Sequence, residues 1–193
     1  NRLANRNALS YRHDMGARPV LEGFIMKFQS VMLSAVALAA AAGAQAAPAK
    51  VADGKVLKAV TESDLQQLVL AEGHTVDELH PFEAPSVRGK TADGLYFLLI
   101  GTACDIGKVK GCQGAMMQVR YDDDESVTLE GVNKANMEEA AIGTWWDKED
   151  KTVGFTRYIV MDDGVTWLNL RQNLRVLLDV QASTLKYVFP ESE

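Results

Sequence analysis

The stretch 94–121 limits what this chain can fold into more than any other part of it. It reads Gly-Leu-Tyr-Phe-Leu-Leu-Ile-Gly-Thr-Ala-Cys, then a short loop, then Cys-Gln-Gly-Ala-Met-Met-Gln-Val-Arg-Tyr. The first arm, 95–100, is an unbroken apolar run between two glycines. It is rich in aromatic and branched side chains and too short for a helix, so it reads as a strand buried on both faces. The second arm returns as a less apolar strand. Cys104 and Cys112 stand near the loop ends. The pattern predicts the centre of an antiparallel sheet whose hairpin is closed by a disulfide.

Whether two thiols pair depends on the compartment, and residues 26–46 bear on that. Met26-Lys27 is a short positive start, 31–42 is apolar except for Ser34, and Ala44-Gln45-Ala46 places small residues where a signal peptidase requires them. These are the three regions of a secretory signal peptide, with cleavage expected before Ala47. A membrane anchor is the other reading, but an apolar core of about a dozen alanine-rich residues falls short of the roughly 20 that span a bilayer. The mature protein is therefore expected in the periplasm or outside the cell, with no stable membrane span. Residues 1–25 begin with Asn and show no sustained periodicity. They are expected to be an upstream extension of the reading frame, with translation starting at Met26.

In an oxidising compartment, two cysteines with no others nearby read first as a structural disulfide. A redox pair would favour Cys-x-x-Cys at a helix start. A metal site would need ligands beyond His74 and His80, and neither has a partner at a usual spacing. No metal or cofactor is expected.

Charge narrows the partners. Residues 1–46 hold five basic and two acidic side chains, leaving 15 basic against 24 acidic in the remainder. A domain that acidic repels phosphate backbones, and no basic stripe offsets it, so nucleic acid is not an expected partner.

After a flexible lead at 47–60, Thr61-Glu-Ser-Asp64 resembles a capping box, and Leu65, Leu68 and Val69 follow at helical spacing up to Gly73. This predicts a helix over 62–72. Residues 74–79 suit a short edge strand and 87–91 a second one, turned by Asp93-Gly94 into the central hairpin. The acidic run 122–125 lacks the spaced ligands and glycine of a calcium loop and reads as a solvated turn. A second helix is expected over 127–139, with Leu129, Val132 and Met137 for its buried side. Strand, charged turn and strand follow over 144–161, then a turn at Asp162-Asp163-Gly164. Trp167, Leu170, Leu174, Leu177 and Leu178 mark a long amphipathic helix over 166–187. The expected class is α+β: an antiparallel sheet of about five strands with helices packed on it, in the order α-β-β-β-α-β-β-α, as one domain at 61–188.

Signatures of catalysis are absent: no Gly-x-Ser-x-Gly, no Walker glycine loop, no dinucleotide fingerprint and no His-Glu-x-x-His. No catalytic residues are assigned. Trp145 and Trp146 are neighbours on a predicted strand and must point to opposite faces. One of them is a candidate contact residue unless both sheet faces are covered.

Residues 61–187 also resemble the YbjN family, whose members are described as candidate bacterial sensory transduction regulators. The likeness is carried by Arg88-Gly89, Asp93-Gly94-Leu95, Cys104, Cys112, Gln118, Asn133-Lys-Ala-Asn136, and Gly164-Val165-Thr166 with Asn169. Ala135 stands where an aromatic is common in the family, and Met137-Glu-Glu-Ala replaces a more basic stretch. The resemblance implies a fold like that of type III secretion chaperones, which often form dimers, and protein binding rather than catalysis. It adds Asn133 and Asn136 to the contact candidates, although their amides can equally bond neighbouring backbone. The functional expectation is an exported, non-enzymatic module that binds a protein or peptide, with a homodimer compatible. The alternative is a small-molecule binder or weak hydrolase with a pocket between the sheet and the last helix.

Overall fold

A computed structural model describes residues 51–189. The expected signal peptide and the extension before it lie outside the described residues. Along the chain run β1 (Val56–Leu57), α1 (Glu62–Ala71), β2 (Thr75–Leu79), β3 (Ser86–Lys90), β4 (Tyr96–Cys104) and β5 (Cys112–Asp122). Then come α2 (Leu129–Glu138), β6 (Gly143–Asp147), β7 (Thr152–Val160), β8 (Val165–Thr166) and α3 (Trp167–Val188). The class is α+β. One six-stranded antiparallel sheet has the order β2-β3-β4-β5-β7-β6, and β1 pairs with β8 beside it. The helix order is the expected one, but four strands rather than three lie between α1 and α2, and one more precedes α1. The 74–79 stretch finds a full partner in β3, and the lead contributes β1.

Local chemistry starts and stops the helices. Thr61 and Asp64 form a reciprocal capping box on α1, while Thr128 and Thr166 each accept a backbone N–H at the starts of α2 and α3. The Cys104–Cys112 disulfide joins residues directly opposite in the β4–β5 ladder. Cys112 also exchanges two backbone bonds with Val60, at 2.9 and 2.8 Å, so the clasped hairpin holds the lead in place. Closing so short a loop contributes about 2.5 kcal/mol in the chain-entropy account. Reductant, or Cys104→Ala with Cys112→Ala, is expected to lower stability by about that amount in thermal melts. Faster amide exchange should be concentrated at Val60 and Cys112.

Strand alternation sorts the sheet into two faces. Val87, Phe97, Leu99, Ala115, Met117, Val119, Val153 and Phe155 lie on one face and are all buried. Against them pack Leu65 and Leu68 of α1 and Trp167, Leu170, Leu174 and Leu177 of α3. Among the described residues, the interface between the sheet and α3 is lined by buried side chains where the alternative reading expects a pocket.

The expected buried side of α2 is also corrected. Leu129 is 65% and Met137 76% exposed, whereas Ala135 is fully buried and Val132 partly so. The helix turns its small residue inward because the Tyr187 carbonyl of α3 passes close to Gly131, leaving little room on that side.

Tyr121 reaches from β5 into the helix layer, where its hydroxyl donates to Gln181 Oε1 at 2.7 Å. Burial, reinforced by the charge of Asp93, pushes its pKa up to about 12 from 10.0. The folded value exceeds the unfolded one, so this contribution is complete below pH 10 and is lost as pH rises towards 12. Two units amount to about 2–3 kcal/mol. Alkaline titration of stability should show this fall, and Tyr121→Phe should abolish it.

Candidate functional site

The second sheet face carries no helix. The loop 80–85 folds onto its β3–β4 end, where the Ser86 hydroxyl accepts from Phe82 N–H and donates to the Ala84 carbonyl. From there towards β7 and β6 the face is laid with aromatic rings. Trp145 of β6 lies flat across Gly154 of β7: a Cβ on that glycine would stand 2.0 Å from the indole. Tyr158 of β7 likewise crosses Gly114 of β5 to place its hydroxyl 2.9 Å from Thr102 Oγ1. Glycine within a strand weakens it unless something needs the space, and here a ring occupies it in both cases.

Polar side chains connect the two rings' surroundings. Trp145 Nε1 donates to Thr156 Oγ1 at 2.8 Å, and Gln118 Nε2 donates to the same oxygen at 3.0 Å. Gln118 Oε1 in turn accepts from Arg120 Nε and Nη2, at 3.0 and 2.6 Å. The Arg120 guanidinium sits between rings, 5.6 Å from the centroid of Phe82 and 5.7 Å from that of Trp145. Each hydrogen-bonding group in this chain is held by a neighbour, so the surface is preorganised.

Between Trp145 and Tyr158 lies an open cleft of about 910 Å³. Met116, Gln118 and Thr156 line it from the sheet face, the turn 140–143 forms a rim, and Arg157 and Asn136 border it. None of its lining residues is acidic, although residues 51–189 carry 22 acidic against 14 basic side chains. Among the described residues, Arg157 is held by neutral acceptors, Asn173 Oδ1 and the Ala141 carbonyl.

The four contact candidates part company here. Trp145 and Asn136 both border the cleft. Trp146 points to the helix side, where its Nε1 donates to Asp123 Oδ2 at 3.0 Å and Lys148 covers the ring. Asn133 is exposed and its amide reaches Met137 Sδ at 3.5 Å. Asn136 acts on backbone: it accepts from Thr144 N–H at 2.8 Å and donates to the Thr144 carbonyl at 3.0 Å. Its amide thus takes the place of a neighbouring strand along β6.

Sequence reasoning passed over Met116, Thr156, Arg157 and Tyr158. For Met116, Thr156 and Tyr158 the signal lay in the alternation of β5 and β7, which puts 116 and 118, and 156 and 158, on one face, whereas Arg157 falls on the other. Elsewhere among the described residues, His74 packs its edge on Phe97 and His80 meets Glu62 at 2.9 Å. No cluster of three or more metal-ligating side chains occurs among the described residues, and no described helix is long and apolar enough to cross a membrane.

Fold and site together define an α+β domain with one helix-covered sheet face and one uncovered, aromatic-bearing face. No protein-family profile matches the chain. No curated protein matches it. Among solved structures, the chain is similar to the crystal structure of YbjN from E. coli, described as a candidate transcription regulator. The two share 11% identity at a TM-score of 0.48, over 68% of this chain and 92% of that one.

Proposed function

We propose that this protein is an exported, non-enzymatic module that binds a polypeptide on the uncovered sheet face, in a regulatory or chaperone-like role. The observation that carries this reading is the pair of rings, Trp145 and Tyr158, seated on glycines either side of the acid-free cleft. Aromatic side chains with few rotatable bonds supply large contact area at low entropic cost, and these two are already held by Thr156 and Thr102. The disulfide fits an oxidising compartment. A domain of this size that leaves an apolar, polar-rimmed face uncovered is arranged for contact rather than for solubility alone.

The cleft favours a second reading, a small apolar ligand between the two rings. Site-specific photo-crosslinking separates the two. A photoreactive phenylalanine at Tyr96 or Tyr158, both on the uncovered face, should yield crosslinked polypeptide in envelope preparations. One at Leu168 on α3 should not. Crosslinks confined to the α3 position would overturn the polypeptide reading, and an unlabelled face together with thermal stabilisation by small-molecule extracts would favour the second.

A further inference from the structure

We propose that the edge of β7 at 157–160 accepts an extended peptide as an added strand, with an apolar side chain entering the cleft and a carboxylate meeting Arg157. This rests on the polypeptide-binding reading and specifies how the segment is held.

The argument begins with backbone bookkeeping. Asp123 N–H donates to the Lys151 carbonyl and Met161 N–H to the Gln113 carbonyl, at the two ends of the β5–β7 ladder. Antiparallel pairs alternate between bonded and non-bonded, so the odd residues of β7 turn their N–H and C=O towards β5. The even residues, 152 to 160, turn theirs towards β6. The β6 ladder, however, begins at Gly143 opposite Thr156. Tyr158 and Val160 lie beyond it and have no partner in β6, because the chain before Gly143 turns away through residues 139–142, and Tyr158 borders the cleft.

Sheet edges invite pairing, and proteins ordinarily blunt them with charge, bulges or covering elements. The two outer strands of the six-stranded sheet are blunted here. β2 has a register irregularity between Val76 and Glu78 and carries Asp77 and Glu78, both paired with Arg88. The Thr144 backbone on the outer side of β6 is occupied by Asn136. By contrast, 157–160 reads Arg-Tyr-Ile-Val, with no proline, lysine or bulge, and Tyr158 and Val160 are 52% and 61% exposed. An exposed apolar edge beside a cleft has the form used for strand addition.

Charge and pleat set the chemistry of the occupant. Side chains of an added strand that stand beside Tyr158 share its face and reach the cleft between the rings, so they should be apolar. Those beside Arg157 fall on the other face, next to a guanidinium held by neutral partners. A carboxylate there forms a charge-assisted bond that a neutral or cationic residue cannot.

The test uses the full chain and three labelled six-residue peptides, in which valine alternates with glutamate, glutamine or lysine. Fluorescence polarisation should rank glutamate above glutamine above lysine, with glutamate at least about tenfold tighter than lysine. N-methylation of alternate amides should weaken the glutamate peptide about tenfold or more. Arg157→Gln, checked for folding by circular dichroism, should erase the preference for glutamate over glutamine. Equal binding of the N-methylated peptide would overturn strand addition, while crosslinks at Tyr96 and Tyr158 would still support the broader reading. A dimer in sedimentation velocity that Val160→Pro dissociates would also overturn it, since the occupant would then be a second copy.

Discussion

Phe155→Ala is expected to destabilise the domain by about 4 kcal/mol, a value near the middle of the range for emptying a buried aromatic site. Phe155 is wholly buried at the centre of the sheet, with Val119 and Thr144 beside it in register. Its ring meets that of Tyr121 edge-on, 5.9 Å between centroids. Little around it can collapse into the space, because neighbouring positions are backbone-fixed strand on one side and the packed stripe of α3 on the other. A fall of more than about 10 °C in Tm should follow for a domain of this size. The variant also separates core from face. Phe155 lies between Gly154 and Thr156, which point the other way, so Trp145 should keep its emission spectrum below the transition. A loss under about 1 kcal/mol would mean that the helix layer does not close over β7 as described.

Glu72→Ala is expected to cost about 3 kcal/mol, the effect of removing a carboxylate that accepts charge-assisted hydrogen bonds from two arginines. Glu72 follows the last turn of α1, where a negative charge opposes the helix dipole and contributes unfavourably on its own account. Its side chain is only 4% exposed because two arginines of α3 converge on it. Arg171 and Arg175 both donate to its carboxylate, and Arg171 also holds Asp53 of the lead at 2.8 Å. One carboxylate thereby ties α1 to α3 and, through Arg171, to the lead. Glu72→Gln keeps an acceptor but loses the charge, and should fall between wild type and alanine. Urea melts of the two variants check this order. If both proved neutral, the ion cluster would be decorative and α1 would be held by its apolar face alone.

Much of the fold was legible because its signals are local. The capping box at Thr61, the helical spacing of Leu65, Leu68 and Val69, and the stripe from Trp167 to Leu177 each lie within one helix. The Asp93-Gly94 turn and the cysteine pair each join strands that are neighbours in sequence. The helix α2 was misread on its buried side because its two large apolar residues, Leu129 and Met137, are not the ones that face α3. A ten-residue helix with few apolar positions allows more than one phase.

By itself, then, the sequence determined which segments become the three helices and the strands of the six-stranded sheet, that Trp145 and Trp146 point to opposite faces, and that Cys104 can reach Cys112. Only the tertiary structure decided that β7 inserts between β5 and β6 and outruns β6 by four residues. That placement lays Trp145 over Gly154 and Tyr158 over Gly114, and gathers Gln118, Thr156 and Arg157 around one cleft. The physical reason is range. Periodicity and caps act through bonds between residues a few positions apart, whereas a sheet edge and the rings upon it are set by strands some 40 residues distant, such as Gln118 and Thr156.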